Sequence, residues 1–505
     1  MLSRIYSGCV VGLDGVSIEV EADVANRGFP SFTIVGMPTK AIDEAKDRIR
    51  TAIVNTGFEM PDSRITINLA PADLPKTGSG FDLPMALGIL AANGVLKEES
   101  FCNDVFVGEL SLRGEVRKVP GVISLALMAK EHRRSHIFVP VENYKEACLV
   151  QGIKIIPVEN LNQLVQHLKG EKIITARPIF FEKPARATVS LHDFSDILGQ
   201  EQTKRALEIA AAGFHNIHLK GPPGAGKTAL SRAFSSILPP LSADEQLEVT
   251  RIHSVAGLIP ANQYCVDAPY RSPHHTVSRN GLIGGGTPPA PGEITLAHRG
   301  VLFLDEFPEF PRSVLEALRQ PLEDGKIVIA RSKGTVTFPS RFILLTASNP
   351  CPCGYYGHTV KPCTCSASAI ENYAKRVSGP LLDRIHLHVN VPPVLEEHLT
   401  GKEKGESSQK IRERITLALD YQKKRFEGLP IKANSEMTSS QVKKLSNIST
   451  KGESLLKTAI SRLTLSARSY FNVIKVSRTI ADLDCSDSIL EIHIAESLQY
   501  RAQAP

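Results

Sequence analysis

The stretch that most constrains this chain is Gly221-Pro222-Pro223-Gly224-Ala225-Gly226-Lys227-Thr228, which fits G-x-x-x-x-G-K-S/T at every fixed position. Such a loop needs a particular setting. Glycines let the backbone turn until successive N–H groups face one point, and a helix starting there adds the positive end of its dipole. The flanks supply both: Asn216 to Lys220 reads as a short strand entering the loop, and Ala229 to Leu238 as a helix leaving it. The pattern predicts an α/β core with a parallel sheet. In it the backbone from Gly221 to Ala229 cradles phosphates, Lys227 reaches the β- and γ-phosphates, and the Thr228 hydroxyl is offered to magnesium.

A second strand, Gly300 to Leu304, is apolar and ends in Asp305-Glu306. Acids delivered to the end of a buried strand complete a nucleotide-hydrolysing site, Asp305 holding magnesium through water and Glu306 polarising the attacking water. Many strands end in acids, but the joint signal with the phosphate loop is specific.

At 505 residues, length predicts about three domains. With 42% hydrophobic and 22% charged residues, the composition is that of an ordinary globular protein. The net charge of +6 permits nucleic acid as a partner without arguing for it. No run approaches the roughly 18 apolar residues a membrane span requires. The opening MLSRIYSGCVVGLDG lacks a signal peptide's apolar core, which points to a cytoplasmic location. There the nine cysteines are expected as thiols or metal ligands. Cys351, Cys353, Cys363 and Cys365 form two C-x-C pairs suited to a four-thiolate zinc site, with His358 as a substitute ligand and free thiols as the alternative.

Residues 1 to 165 alternate strand and helix patterns, with strands at 15–24, 31–35, 64–69, 104–110 and 136–140 and helices at 40–55, 84–93 and 121–132. Residues 166–190 mix prolines and charges and read as a linker. The core is expected over 191–395. Within it, 253–299 is rich in glycine and proline and reads as a large loop insertion. Residues 326–330 and 334–338 form a hairpin with the basic tip Arg331-Ser332-Lys333. Arg331 and Lys333, with Arg271, His274 and His275 from the insertion, are the candidate nucleic-acid contacts, an ordinary solvated loop being the alternative for the hairpin tip. Residues 396–505 read as a helical lid. Between its last helices Asp484 to Ser488 matches D-x-S-x-S, and Ser488 with Glu491 reads as a capping box rather than a metal motif.

Two resemblances sharpen this picture. NLAPADLPKTGSGFDLPMALGIL and VGELSLRGEVRKVPGV resemble the signature segments of the Lon-protease catalytic domain. Laid on that pattern, Gly80 stands at the nucleophilic serine and Ile123 at the lysine, with Ser79 one residue off. The resemblance implies a Lon-like α+β fold without peptidase activity, because a serine nucleophile needs an adjacent base.

Over nearly its whole length the chain resembles the ComM/YifB-type magnesium-chelatase-like AAA+ ATPases, through the loop, RSPHHTVS, GEITLAHRGVLFLDE, the cysteine cluster and KVSRTIADL. By that resemblance Ile197 and Leu198 line the adenine pocket and Asn349 orients the lytic water. Arg384 is the arginine finger acting on a neighbouring subunit, and Arg468 is the second sensor, with Arg478 as the fallback. It implies ATP and magnesium as cofactors, a homo-hexamer, and a helicase that promotes branch migration of DNA in natural transformation. A remodelling ATPase acting on a protein or metal-chelatase partner is the alternative. Tyr470-Phe471-Asn472 departs from the basic residues expected in the lid.

Overall fold

The computed structural model describes residues 1–25, 29–74, 76, 78–176, 192–331, 334–358, 361–393, 405–463 and 465–501. The N-terminal unit is built on strands β1 (Leu2–Val11), β2 (Asp14–Val24), β3 (Ser31–Val35), β4 (Arg64–Ala70), β5 (Asp104–Phe106), β8 (His136–Pro140) and β9 (Lys154–Val158), with β6 (Glu109–Leu110) and β7 (Val116–Arg117) as a small separate ribbon. The seven form one sheet in the order β3-β4-β2-β1-β5-β8-β9. β1 and β2 pair as a long antiparallel hairpin from Leu2↔Asp23 to Val11↔Asp14. Alternation fixes its faces: Ile18, Val20, Ala22 and Val24 are buried, while Glu19 and Glu21 lie on the opposite side.

Against this sheet lies helix Asp82–Ala92, buried at every residue and apolar all round after Asp82. The expected helix over 40–55 breaks at Glu44 into Lys40–Asp43 and Ala45–Asn55. Helix Leu161–Leu168 runs into the start of the expected linker, and residues 177–190 of that linker lie outside the described residues.

The second unit is organised by strands β10 (Ile217–Lys220), β11 (Tyr270–Arg271), β14 (Val301–Leu304), β17 (Ile343–Ser348) and β18 (Leu387–Asn390), all parallel, in the order β11-β14-β17-β10-β18. β14 and β17 are buried at every residue; β14 is a continuous apolar run, and in β17 the two polar residues, Thr346 and Ser348, are hydrogen-bonded to the His218 ring at 2.8 Å and 3.0 Å. Their side chains divide between two cores. Val301, Phe303, Ile343 and Leu345 join helices Glu201–Gly213, Lys227–Ile237 and Ser408–Arg425. Leu302, Leu304 and Leu344 join Phe307, Leu315 and Phe338 on the other face. Each fully buried leucine or phenylalanine contributes about 1.5–3 kcal/mol, so the two-sided burial fixes the strand register.

The stretch 253–299 is not a loop insertion. It begins with the end of helix Ala243–Val255, supplies β11 to the edge of the central sheet, and folds as helices Arg279–Ile283 and Glu293–Leu296 around the small ribbon β12 (Gly284–Gly285) and β13 (Ala290–Pro291). Leu282, Ile294, Leu296 and Ala297 are buried in the second core, which offsets the entropic cost of ordering its glycines. The hairpin follows as β15 (Lys326–Arg331) and β16 (Gly334–Pro339).

The C-terminal helices are Ser408–Arg425, Ser439–Leu445, Thr450–Leu463, Ala467–Leu483 and Glu491–Gln499. The last starts after Leu490, whose N–H donates to His493 Nδ1 at 3.1 Å; the expected capping box of Ser488 with Glu491 is not formed. The N-terminal unit docks on the core through the β1–β2 turn: Arg251 donates to Leu13 O and Asp14 Oδ1, both at 2.7 Å. No described helix is long and apolar enough to cross a membrane.

Candidate nucleotide site

Parallel strands deliver their C-terminal ends to one edge of the sheet, and most of the expected hydrolytic residues gather there. Beyond β10, the 221–228 loop turns through Gly224 and Gly226 at φ +79° and +84°, a left-handed backbone that favours glycine. Lys227 opens the following helix and is buried; its Nζ donates to Gly221 O at 2.7 Å, Pro222 O at 2.8 Å and Asn349 Oδ1 at 3.2 Å. Burial holds the ammonium's pKa below its usual value, with Asp305 opposing the shift. Phosphate oxygens at the same point would favour the charged form.

Thr228 Oγ1 donates to Asp305 Oδ2 at 2.8 Å, so a hydroxyl and a carboxylate adjoin between the loop and the end of β14. Hard oxygen donors side by side fit magnesium. Glu306 sits at φ +51°, ψ +43°, a left-handed conformation that costs a non-glycine residue about 1–3 kcal/mol and recurs at functional sites. Its N–H donates to Asp305 Oδ1 at 2.9 Å. Asn349 follows β17 on the same edge. Ile197 and Leu198 are half-buried after the turn Phe194–Asp196, which packs on the helix that Lys227 begins.

The expected nucleic-acid contacts lie in different settings. Arg271 is held in a two-pronged ion pair with Glu293, both bonds at 2.7 Å, so its charge is already compensated. His275 Nδ1 lies 3.2 Å from Glu306 Oε2, beside the acidic end of β14. His274 packs on His275, with ring centroids 4.0 Å apart. Arg331 ends β15, and Lys333 lies outside the described residues. The His275–Glu306 contact was missed because nothing local in RSPHHTVS says where β11 docks.

Arg384 and Arg468 occupy the opposite edge. Asn216, just before β10, donates from Nδ2 to Arg384 O at 3.0 Å, and Asn472 of the lid donates to Asp383 O at 3.2 Å. Both guanidinium groups converge on Glu323, Arg468 at 3.2 Å. Arg384 Nε is buried with no acceptor among the described residues. Together with Arg341, Lys475 and Phe471 these groups line a cleft of about 670 Å³ between core and lid. Arg478, the fallback sensor, is buried and satisfied by Asp482 and the carbonyls of Ser446, Ser486 and Asp487, a structural arrangement.

The four cysteines form one cluster whose ligand atoms all lie within 4.8 Å of one another, a group able to hold a metal ion. His358 is not in that group; its Nδ1 accepts from the Lys361 N–H at 3.1 Å. In the N-terminal unit, Ser79 Oγ donates to Glu109, Gly80 offers no nucleophile, and Ile123 is fully buried in helix Val122–Glu131. No serine–lysine pair exists at those positions.

Three family models divide the chain among them. Residues 193–399 match the magnesium chelatase subunit ChlI model, 20–143 the ChlI subunit model of Mg-chelatase, and 405–501 the ChlI C-terminal model. The fold and site therefore define a magnesium-chelatase-like AAA+ ATPase. The competence protein ComM of Haemophilus influenzae is 42% identical over 99% of this chain and 97% of its own length. The uncharacterized protein YifB of Escherichia coli is 40% identical with the same coverage. The magnesium-chelatase 38 kDa subunit of Rhodobacter capsulatus is 28% identical, over 31% of this chain and 50% of that protein. The chain belongs to the ComM/YifB family of magnesium-chelatase-like proteins.

Proposed function

We propose that this protein is the subunit of a hexameric ring that couples ATP hydrolysis to movement on single-stranded or branched DNA. The observation that carries the ring is the placement of the loop and the arginines on opposite edges of one sheet. A site that needs both is completed only by a second copy. The DNA substrate is supported by the resemblance to competence proteins and by the hairpin of β15 and β16.

In this reading Lys227 and the backbone from Gly221 to Ala229 bind the triphosphate, with Ile197 and Leu198 against the base. Glu306 accepts the proton of the attacking water and Asn349 orients it. Arg384 and Arg468 of an adjacent copy stabilise the charge developing on the transferred phosphoryl group. Magnesium held by Thr228 and Asp305 would neutralise phosphate charge. The cysteine cluster holds zinc, the ion that four thiolates select. The unit over 1–165 is a Lon-like domain without peptidase activity, joined by 166–190 to the core (191–395) and the lid (396–505).

The test is ATPase activity with and without forked or single-stranded DNA. Stimulation of about tenfold or more is expected for a motor whose cycle is coupled to its track. A preparation that hydrolyses ATP yet responds to neither DNA contradicts the DNA motor and favours action on a protein partner.

A further inference from the structure

The cysteine cluster lies directly against the nucleotide loop. Cys351 is two residues beyond Asn349, and the turn it begins is closed by Gly354 N–H donating to Cys351 O at 3.0 Å. Gly354 has φ +86°, and a Cβ there would stand 2.6 Å from both Cδ and Cγ of Pro223 and 3.9 Å from Cγ of Asn349. The backbone of the cysteine turn thus packs closely on Pro223 of the phosphate loop, with the Asn349 amide that binds Lys227 nearby.

We propose that the four cysteines close around one zinc ion and that this knuckle positions the ATPase site, pressing Gly354 on Pro223 and fixing Asn349. The inference rests on the zinc and ATPase readings above and adds that the two are coupled.

The sulfur geometry fits. A tetrahedral zinc with Zn–S bonds of about 2.3 Å sets its sulfurs about 3.8 Å apart. Here Cys351 and Cys353 Sγ are 3.4 Å apart, Cys351 and Cys363 3.7 Å, and Cys353 and Cys363 3.6 Å. All four are free thiols, too far apart for S–S bonds. The backbone also donates to them: Tyr356 N–H to Cys351 Sγ at 3.3 Å, Cys353 N–H to Cys365 Sγ at 3.4 Å and Cys365 N–H to Cys363 Sγ at 3.5 Å. Amide donors aimed at sulfur are the outer-shell support that thiolates bound to a metal require. Cys351 is buried and the other three are half-exposed, so the ion has a floor and an entry path.

The loop also needs the cross-link. Among the described residues between Ser348 and Ala367 no helix or strand forms, so the turn is held by local hydrogen bonds such as Gly354 N–H to Cys351 O and by the sulfurs that join its two ends. Without the ion, chain entropy favours opening, and Gly354 leaves Pro223. Lys227 keeps its backbone partners and Thr228 keeps Asp305, so nucleotide binding persists. What is lost is the placement of Asn349, which acts on turnover.

The test uses the full-length chain. Elemental analysis is expected to find one zinc per chain in the wild type and less than half in a Cys363→Ser/Cys365→Ser double variant. Stripping zinc with a thiol-competitive chelator is expected to lower kcat for ATP by about tenfold or more while KM changes less, and zinc add-back restores kcat where magnesium alone does not. Gly354→Ala retains zinc but lowers kcat, because its methyl displaces Pro223; this separates positioning from folding should the cysteine variant fail to fold. Less than half a zinc per wild-type chain overturns the proposal. Full zinc with kcat unchanged by stripping and by Gly354→Ala overturns the coupling. A wild type that holds zinc, binds a fluorescent ATP analogue and hydrolyses no ATP refutes the ATPase reading instead, and the coupling with it.

Discussion

Arg384 stands before the first residue of β18, while Lys227 stands beyond the last residue of β10, and these strands run parallel from Ile217↔Leu387 to Lys220↔Asn390. Four residues at about 3.3 Å each put roughly 13 Å of sheet between the two edges before either flanking turn is added. Within one chain the guanidinium does not reach a γ-phosphate held by Lys227. Lys227→Ala and Arg384→Ala chains should each be inactive alone, the second by about 10³-fold or more. Mixed in equal amounts and allowed to assemble at random, they regenerate a whole site wherever an Arg384→Ala chain offers its loop to the arginine of a Lys227→Ala neighbour. With heterologous interfaces around a ring that is about one interface in four, so about a quarter of wild-type ATPase activity is expected. The measurement is steady-state phosphate release at several mixing ratios, with co-assembly followed through differently tagged chains. A mixture that co-assembles and stays at the background of its parents refutes the reasoning.

Glu306→Gln should bind ATP and assemble normally while kcat falls by about 10²-fold or more, since the amide keeps the shape and cannot accept a proton; normal single-turnover hydrolysis would remove Glu306 from the role of base. Asp82 supplies a pH test in the N-terminal unit. It pairs with Arg48 at 2.9 Å and accepts from Leu110 N–H at 3.2 Å, yet burial pushes its carboxyl up from 3.8 to about 6. Below the unfolded value both states hold the proton. Between there and about 6 the unfolded chain ionises first, so stability falls as pH rises and stays lower above, by about 3 kcal/mol. Asp82→Asn should gain about that much relative to wild type between roughly pH 4 and pH 7 in urea unfolding; an equal difference at both pH values would rule out the burial account.

The phosphate loop, the apolar strand β14, the β15–β16 hairpin and the helical lid were legible because each is specified by its own few residues. β1 was not. Its inward positions include Ser3 and Ser7, whose hydroxyls donate to Gly88 O and Phe106 O, so the alternation that marks a strand is broken by polar residues satisfied only by tertiary partners. The 253–299 stretch misleads for a related reason: its glycines and prolines look like loop, while Leu282, Ile294 and Leu296 are too sparse to show a period until the core receives them. Arg271 and His275 carry no local mark of Glu293 and Glu306, their partners across the fold. Glu323, which gathers both candidate arginines, lies in an unremarkable helix end and has no sequence signal at all.

Glu323 bears on how a ring built this way would respond to ATP. Arg384 belongs to the core and Arg468 to the lid, and the same carboxylate ties them together. Glu323 is about half exposed, and an ion pair at that exposure is worth about 0–1 kcal/mol. A charge-assisted bond from an arginine to phosphate is worth more, about 1.5–3 kcal/mol for hydrogen bonds to charged groups. In the proposed ring a neighbour's γ-phosphate therefore wins the arginines from Glu323 at small cost, and the core–lid tie is released as the site closes. Hydrolysis followed by release of the phosphate removes the competitor and lets the tie re-form. In the proposed ring the separation of the two edges does more than require a second copy: it places the sensor of the neighbour's nucleotide at the core–lid contact of the chain that supplies it.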